Sequence, residues 1–228
     1  MARFSRITLP DLAYHVTQRG NRRQPVFFGD DDYRAYLEEL TRQSRRVDLR
    51  IWAYCLMTNH VHLVVRAATG VGLRRAIQGL NLRYALAYKR KYSHIGHFWQ
   101  DRFKSLRIVD AAYLLTCGAY VESNPVRARM VPTPEAYSWS SARAYLQGTP
   151  DPLLTPNPTY LALGPTSRER RHRYQRFLTE QLRQPLPATA TVGSAAHWRQ
   201  LASTAGTPLP VKPRGRPRKM AVVTFDTP

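Results

Sequence analysis

The stretch Asn59-His60-Val61-His62-Leu63-Val64-Val65 decides the fold. Its apolar, β-branched residues read as a strand, where successive side chains take opposite faces. His60 and His62 then share one face, and Val61, Leu63 and Val65 turn to a core on the other. Their Cα atoms stand about 7 Å apart, so two imidazoles on a rigid strand can converge on one divalent ion. One surface histidine beside a hydrogen-bonded one would give the same spacing. Two histidines do not complete a site, since zinc usually takes four protein ligands, or three and a water. Two imidazoles with one further oxygen ligand and open positions better suit Mg²⁺ or Mn²⁺ holding a phosphate.

Outward from this strand the pattern alternates. A strand is expected at Ala13–Arg19 and a helix at Asp31–Arg46, with Asp30 as N-cap and Tyr33, Tyr36, Leu37 and Leu40 on one buried face. Strands follow at Leu49–Met57 and His60–Arg66, joined tightly at Thr58-Asn59. A helix at Val71–Lys91 would bury Leu73, Ile77, Leu80 and Tyr84. A strand at Phe103–Val109 leads into a helix from Ala111 to Asn124, capped by Asp110 and stopped by Pro125. The order βαββαβ, then α, predicts an α+β fold: a ferredoxin-like antiparallel sheet carrying helices. Of 17 prolines, 12 lie in residues 150–228. The expected division is a domain over 1–148, a proline-rich linker without regular elements over 149–166, and a basic extension over 167–228. In that extension Tyr174, Phe177, Leu178 and Leu182 predict a short helix packing on the core, and the last 25 residues have the composition of disorder.

The helix after the last strand offers a third ligand. At 100° per residue Tyr113, Cys117, Tyr120 and Asn124 form one narrow stripe, beside a more apolar face of Ala111, Leu114, Leu115, Gly118 and Val121. Two amphipathic rim tyrosines and a helix-terminating Asn124 would produce the same spacing. A phenol of ordinary pKa about 10 attacks phosphorus only with a metal or base nearby. A metal on His60, His62 and Asn124 would leave Tyr120 one turn from its own ligand, with Tyr113 the rival nucleophile two turns earlier.

The chain carries 35 Lys+Arg against 15 acidic residues, a formal charge of +20 and a pI near 10.8. Such an excess points to a polyanionic partner and away from small-metabolite chemistry. Of these 35 residues 30 are Arg, which suits bidentate phosphate contacts and equally follows from GC-rich codons. Cys55 and Cys117 build neither a disulfide framework nor a zinc site. No apolar run reaches membrane-span length and no signal core opens the chain, so a cytoplasmic, nucleoid-associated protein is expected.

Candidate contacts to such a polyanion are Arg19, Arg22 and Arg23 after the first strand, Lys89, Arg90 and Lys91 at the end of the second long helix, and Arg102, Lys104 and Arg107 before the tyrosine helix. Basic and aromatic residues interleave through Tyr84–Trp99, as a surface that holds phosphates and stacks unpaired bases requires. Near the C-terminus Lys212-Pro213-Arg214-Gly215-Arg216-Pro217-Arg218-Lys219 is similar to an AT-hook, in which Arg214, Arg216 and Arg218 would enter the minor groove of A·T-rich duplex. A generic basic tail is the alternative.

Taken together, Tyr14-His15-Val16-Thr17-Gln18-Arg19-Gly20-Asn21, Asn59-His60-Val61-His62, Phe98-Trp99-Gln100-Asp101-Arg102-Phe103 and Tyr120-Val121-Glu122-Ser123-Asn124-Pro125-Val126-Arg127-Ala128 resemble the single-tyrosine HUH transposases, specifically the REP-associated tyrosine transposases of bacteria. The resemblance covers residues 8–147. It implies an HUH nuclease fold acting on single-stranded, hairpin-forming DNA with Mg²⁺ or Mn²⁺. His60 and His62 would bind the metal with Asn124, and Tyr120 would be the nucleophile, four residues before it. Cleavage would leave a 5′-phosphotyrosine and a free 3′-OH, resealed by reversal. A non-catalytic hairpin-binding protein of the same fold is the alternative, and the resemblance leaves monomer and homodimer both open.

Overall fold

Four strands form one antiparallel sheet in the computed structural model, which describes residues 8–108 and 110–183. They are β1 (Ala13–Arg19), β2 (Leu49–Met57), β3 (His60–Ala67) and β4 (Lys104–Ile108), in the spatial order β2-β3-β1-β4. Helices α1 (Asp30–Arg46) and α2 (Gly70–Tyr92) make the two crossovers, and α3 (Ala111–Arg127) follows β4. This is the expected α+β, ferredoxin-like arrangement.

Both faces of the sheet are covered. Tyr14, Val16, Ile51, Val61, Leu63 and Val65 pack with Tyr36, Leu40, Leu73, Ile77 and Leu80 of α1 and α2. Ala13, Ala53, Cys55 and Val64 pack with Leu114, Cys117, Tyr120 and Val121 of α3 on the other side. A central strand buried on two faces reads as a near-continuous apolar run, which is why the two histidines of β3 stand out.

Two element ends differ from expectation. Gly29 rather than Asp30 is the N-cap of α1, with no side-chain bond. Instead Asp32 reaches back from the first turn and accepts the Phe28 N–H at 2.8 Å, a variant of the capping box. Pro125 does not stop α3, which runs on to Arg127. A proline withholds the N–H that would bond the carbonyl four residues back. Here Asn124 Nδ2 donates to that carbonyl, Val121 O, at 3.2 Å and to Tyr120 O at 2.8 Å, so the helix survives the proline.

The proline-rich run also contains regular structure. Leu154 bridges to Ile51, the Thr155 N–H donates to Ile51 O, and α5 (Pro158–Leu161) forms a single turn, after α4 (Ala142–Gln147). Helix α6 (Ser167–Arg183) buries Tyr174 and Leu178 against Ala119 of α3 and Tyr145 of α4, with Phe177 and Leu182 partly covered. At the centre of this contact Glu122, fully buried, accepts from the hydroxyls of Ser141 at 2.6 Å and Tyr174 at 2.8 Å. Burial raises its carboxyl to about 7 although both hydrogen bonds pull the other way. The AT-hook-like segment with Arg214, Arg216 and Arg218 lies outside the described residues. No helix among those described is long and apolar enough to cross a membrane.

Candidate active site

Strand β3 delivers His60 and His62 to the sheet face that α3 covers, as period-two alternation requires. Their rings meet edge to face with centroids 4.9 Å apart. His60 is half-buried and His62 only 1% exposed. Burial, aided by the Arg19 guanidinium, lowers His60 to about 4, so it is a neutral imidazole at neutral pH. Its Nδ1 lies 2.6 Å from Asn59 Oδ1, an atom that only accepts, so Nδ1 carries the proton and Nε2 the lone pair. The Asn59 amide nitrogen also donates to Arg23 O at 3.0 Å, tying the hairpin turn to the turn that follows β1.

That second turn is tightly wound. Arg22 and Arg23 both have left-handed backbones, φ 50° and 62°, a conformation costing a non-glycine residue about 1–2 kcal/mol. A Cβ on Gly20 would stand 2.4 Å from Gln24 O, so only glycine fits where this turn folds back. The segment before β4 runs alongside, with Gln100 N–H donating to Arg19 O and Gln18 Nε2 to Asp101 O. Together these pieces line a cleft of about 230 Å³ whose walls include His60, His62, Arg19, Arg23, Arg102 and Lys104. Two imidazoles thus sit among four cationic side chains, a setting for a phosphodiester.

Tyr120 lies behind His62, ring centroids 5.9 Å apart and near perpendicular. It is 3% exposed and does not line the cleft. Burial raises its phenol far above the ordinary range, and Cys117 adds to this. Arg127, a hydrogen bond with Asn124 and Arg19 act in the opposite direction. Tyr113, the rival, is buried two turns earlier in the apolar layer with Trp52 and Ile108. The structure therefore brings His60, His62 and Tyr120 together and keeps Asn124 beside Tyr120.

The remaining expected DNA contacts divide. Arg22 is exposed at the rim turn. Arg107 pairs with Tyr14, which packs toward α1 and α2, so Arg107 leaves β4 on the face opposite His62. Lys91 is engaged with Asp32 at 2.7 Å, while Arg90 is exposed and Lys89 half-buried. Residues that sequence reasoning passed over also contribute: His15, whose Nε2 is 2.9 Å from His62 Nδ1, with Asn59, Gln18 and Asp101. All four stood inside the quoted motifs, but nothing in their spacing assigned them a partner.

The donors suit a hard divalent cation. Asn59 Oδ1 holds the His60 proton on Nδ1, so this neutral imidazole carries its lone pair on Nε2, the state in which it could ligate a metal. Among the described residues no group of three His, Cys, Asp or Glu could hold a metal. Amide, phosphate and water oxygens are further donors that Mg²⁺ and Mn²⁺ would accept beside an imidazole.

Residues 8–124 match the family model described as IS200-like transposase, and the chain belongs to that family. Among solved structures it is similar to a REP-associated tyrosine transposase bound to a REP hairpin, at 16% identity and a TM-score of 0.52, over 70% of this chain and 93% of that one. It also matches a putative transposase from Deinococcus radiodurans at 18% identity and a TM-score of 0.37, over 57% of this chain and 92% of the other. No curated protein matches by sequence.

Proposed function

We propose that the protein is a metal-dependent single-strand DNA endonuclease and strand transferase. It binds hairpin-forming DNA, cleaves it through Tyr120 and rejoins the strands, in the cytoplasm on the nucleoid. The observation that carries this reading is the approach of the Tyr120 ring to within 5.9 Å of His62 beside a cationic cleft. The neighbour solved with a REP hairpin makes a hairpin the first substrate to test.

Arg19, Arg23, Arg102 and Lys104 would hold the backbone of the strand across the cleft, with Arg22 at its rim. His60, His62 and Asn124 would hold Mg²⁺ or Mn²⁺, which when bound polarises the scissile phosphate and stabilises negative charge on it. Tyr120 is a neutral phenol at neutral pH, so attack requires loss of its proton. One bond forms, from Tyr120 Oη to phosphorus, and one breaks, from phosphorus to the 3′ oxygen. The departing oxygen takes up a proton, and the phosphodiester energy is retained as phosphotyrosine. With Tyr120 covered, a phosphate in the cleft reaches the phenol only after a local rearrangement. Beyond the described residues, Arg214, Arg216 and Arg218 would tether the protein to A·T-rich duplex.

A covered phenol is also what a hairpin-binding protein that never cleaves would show, and one experiment separates the two. The protein is incubated with a hairpin-bearing single strand and Mg²⁺ or Mn²⁺. A covalent adduct that forms in wild type and Tyr113→Phe but not in Tyr120→Phe supports the nuclease. Tight binding with no adduct in either metal supports the binding protein.

A further inference from the structure

His15 is an imidazole where the sheet asks for an apolar residue. It is 2% exposed, and its register partners are Val64 on β3 and Leu106 on β4. A buried polar ring is costly unless hydrogen-bonded. The ring planes of His15 and His62 differ by only 3°, and their nitrogen edges meet at 2.9 Å while the centroids stay 5.1 Å apart. That geometry is an in-plane hydrogen bond between edges rather than a face-to-face stack.

Such a bond holds one proton, and its placement decides the chemistry of the far side of His62. If His62 Nδ1–H donates to His15 Nε2, then His62 Nε2 carries a lone pair and His15 keeps its own proton on Nδ1. If His15 Nε2–H donates instead, His62 carries its proton on Nε2 and cannot ligate there. We propose that His15 is a positioning residue that accepts from His62 Nδ1, fixing the tautomer and ring plane in which His62 ligates the metal. The inference rests on reading His60 and His62 as metal ligands. The parallel at His60 supports it, since there Asn59 Oδ1 fixes the proton on Nδ1. His15 also meets the edge of the Tyr120 ring, centroids 6.3 Å apart at 84°, so the same imidazole braces ligand and phenol.

The test is Mn²⁺ affinity by calorimetry on the full chain, without DNA, for wild type, His15→Leu, His15→Gln and His60→Ala. Glutamine offers an amide oxygen that accepts as Nε2 does; leucine fills the space without an acceptor. His15→Leu is expected to weaken Mn²⁺ by roughly 10–100-fold, and His15→Gln to stay near wild type. Wild-type affinity in His15→Leu, or equal loss in both His15 variants, overturns the proposal. If His60→Ala itself keeps Mn²⁺ affinity, the metal-site reading fails and the inference with it; if His60→Ala loses affinity while His15→Leu retains it, only the inference falls. Nitrogen-15 NMR of the unmutated, metal-free chain reads the tautomer without any variant. A proton on His62 Nδ1 is expected, and one on Nε2 refutes the assignment.

Discussion

An imidazole binds a cation only with a lone pair aimed outward; Asn59 fixes the His60 proton on Nδ1, while His62 meets His15 through its own Nδ1. On the proposed reading, metal ligation and DNA gripping use different side chains. His60→Ala and His62→Ala should therefore abolish adduct formation while hairpin affinity stays close to wild type, measured by denaturing gel and by binding titration respectively. Normal cleavage by either variant would remove the histidines from the reaction. His-x-His was legible because strand alternation is a local rule. The His15 contact was not, because β1 lies beside β3 only after the α1 crossover, and no local pattern announces that His15 will meet His62. The preference for Tyr120 over Tyr113 followed from its one-turn distance to Asn124, a spacing the helix preserves.

At the level of elements, Asp32 joins the start of α1 to the end of α2. It accepts from the Phe28 N–H, from Lys91 Nζ and from the Tyr92 hydroxyl. Burial alone would raise its carboxyl, but these three bonds outweigh it and bring it below the ordinary 3.8. A carboxyl lowered on folding stabilises the fold above its unfolded pKa, and that contribution disappears as pH falls through the folded value. Asp32→Ala should cost about 1–3 kcal/mol at neutral pH, since it also orphans an N–H at the helix start. The gap from wild type in urea unfolding should narrow in acid, and a gap independent of pH would remove the carboxylate charge from this role. Asp30 was the natural choice of cap by residue type. It lost to Gly29 because capping depends on backbone direction at the entry to α1. Pro125 misled for a similar reason: a proline ends a helix unless another donor supplies the missing bond, and Asn124 is that donor.

Across the whole molecule, charge dominates. Arginines and lysines stand around the cleft, within a chain of net charge +20. If about six phosphates are neutralised on binding, hairpin affinity should fall on the order of 10³-fold between roughly 50 and 200 mM salt. An affinity insensitive to salt would contradict a phosphate-led interface. Helix α6 belongs to this scale too. Its apolar stripe predicted packing on the core, but its seat on α3 beside Glu122 was not readable, because the partners Ser141 and Tyr174 come from separate elements.

By itself the sequence determined the sheet, its three covering helices, the shared face of His60 and His62, and the stripe of Tyr120 and Asn124. All of these follow from periodicities of two and 3.6 acting over a few residues. Only the tertiary structure decided that Arg107 leaves the cleft, that Tyr120 is covered behind His62, and that the His15 ring meets the His62 ring. Those outcomes depend on strand order and register, which bring together residues tens of positions apart that no local rule connects.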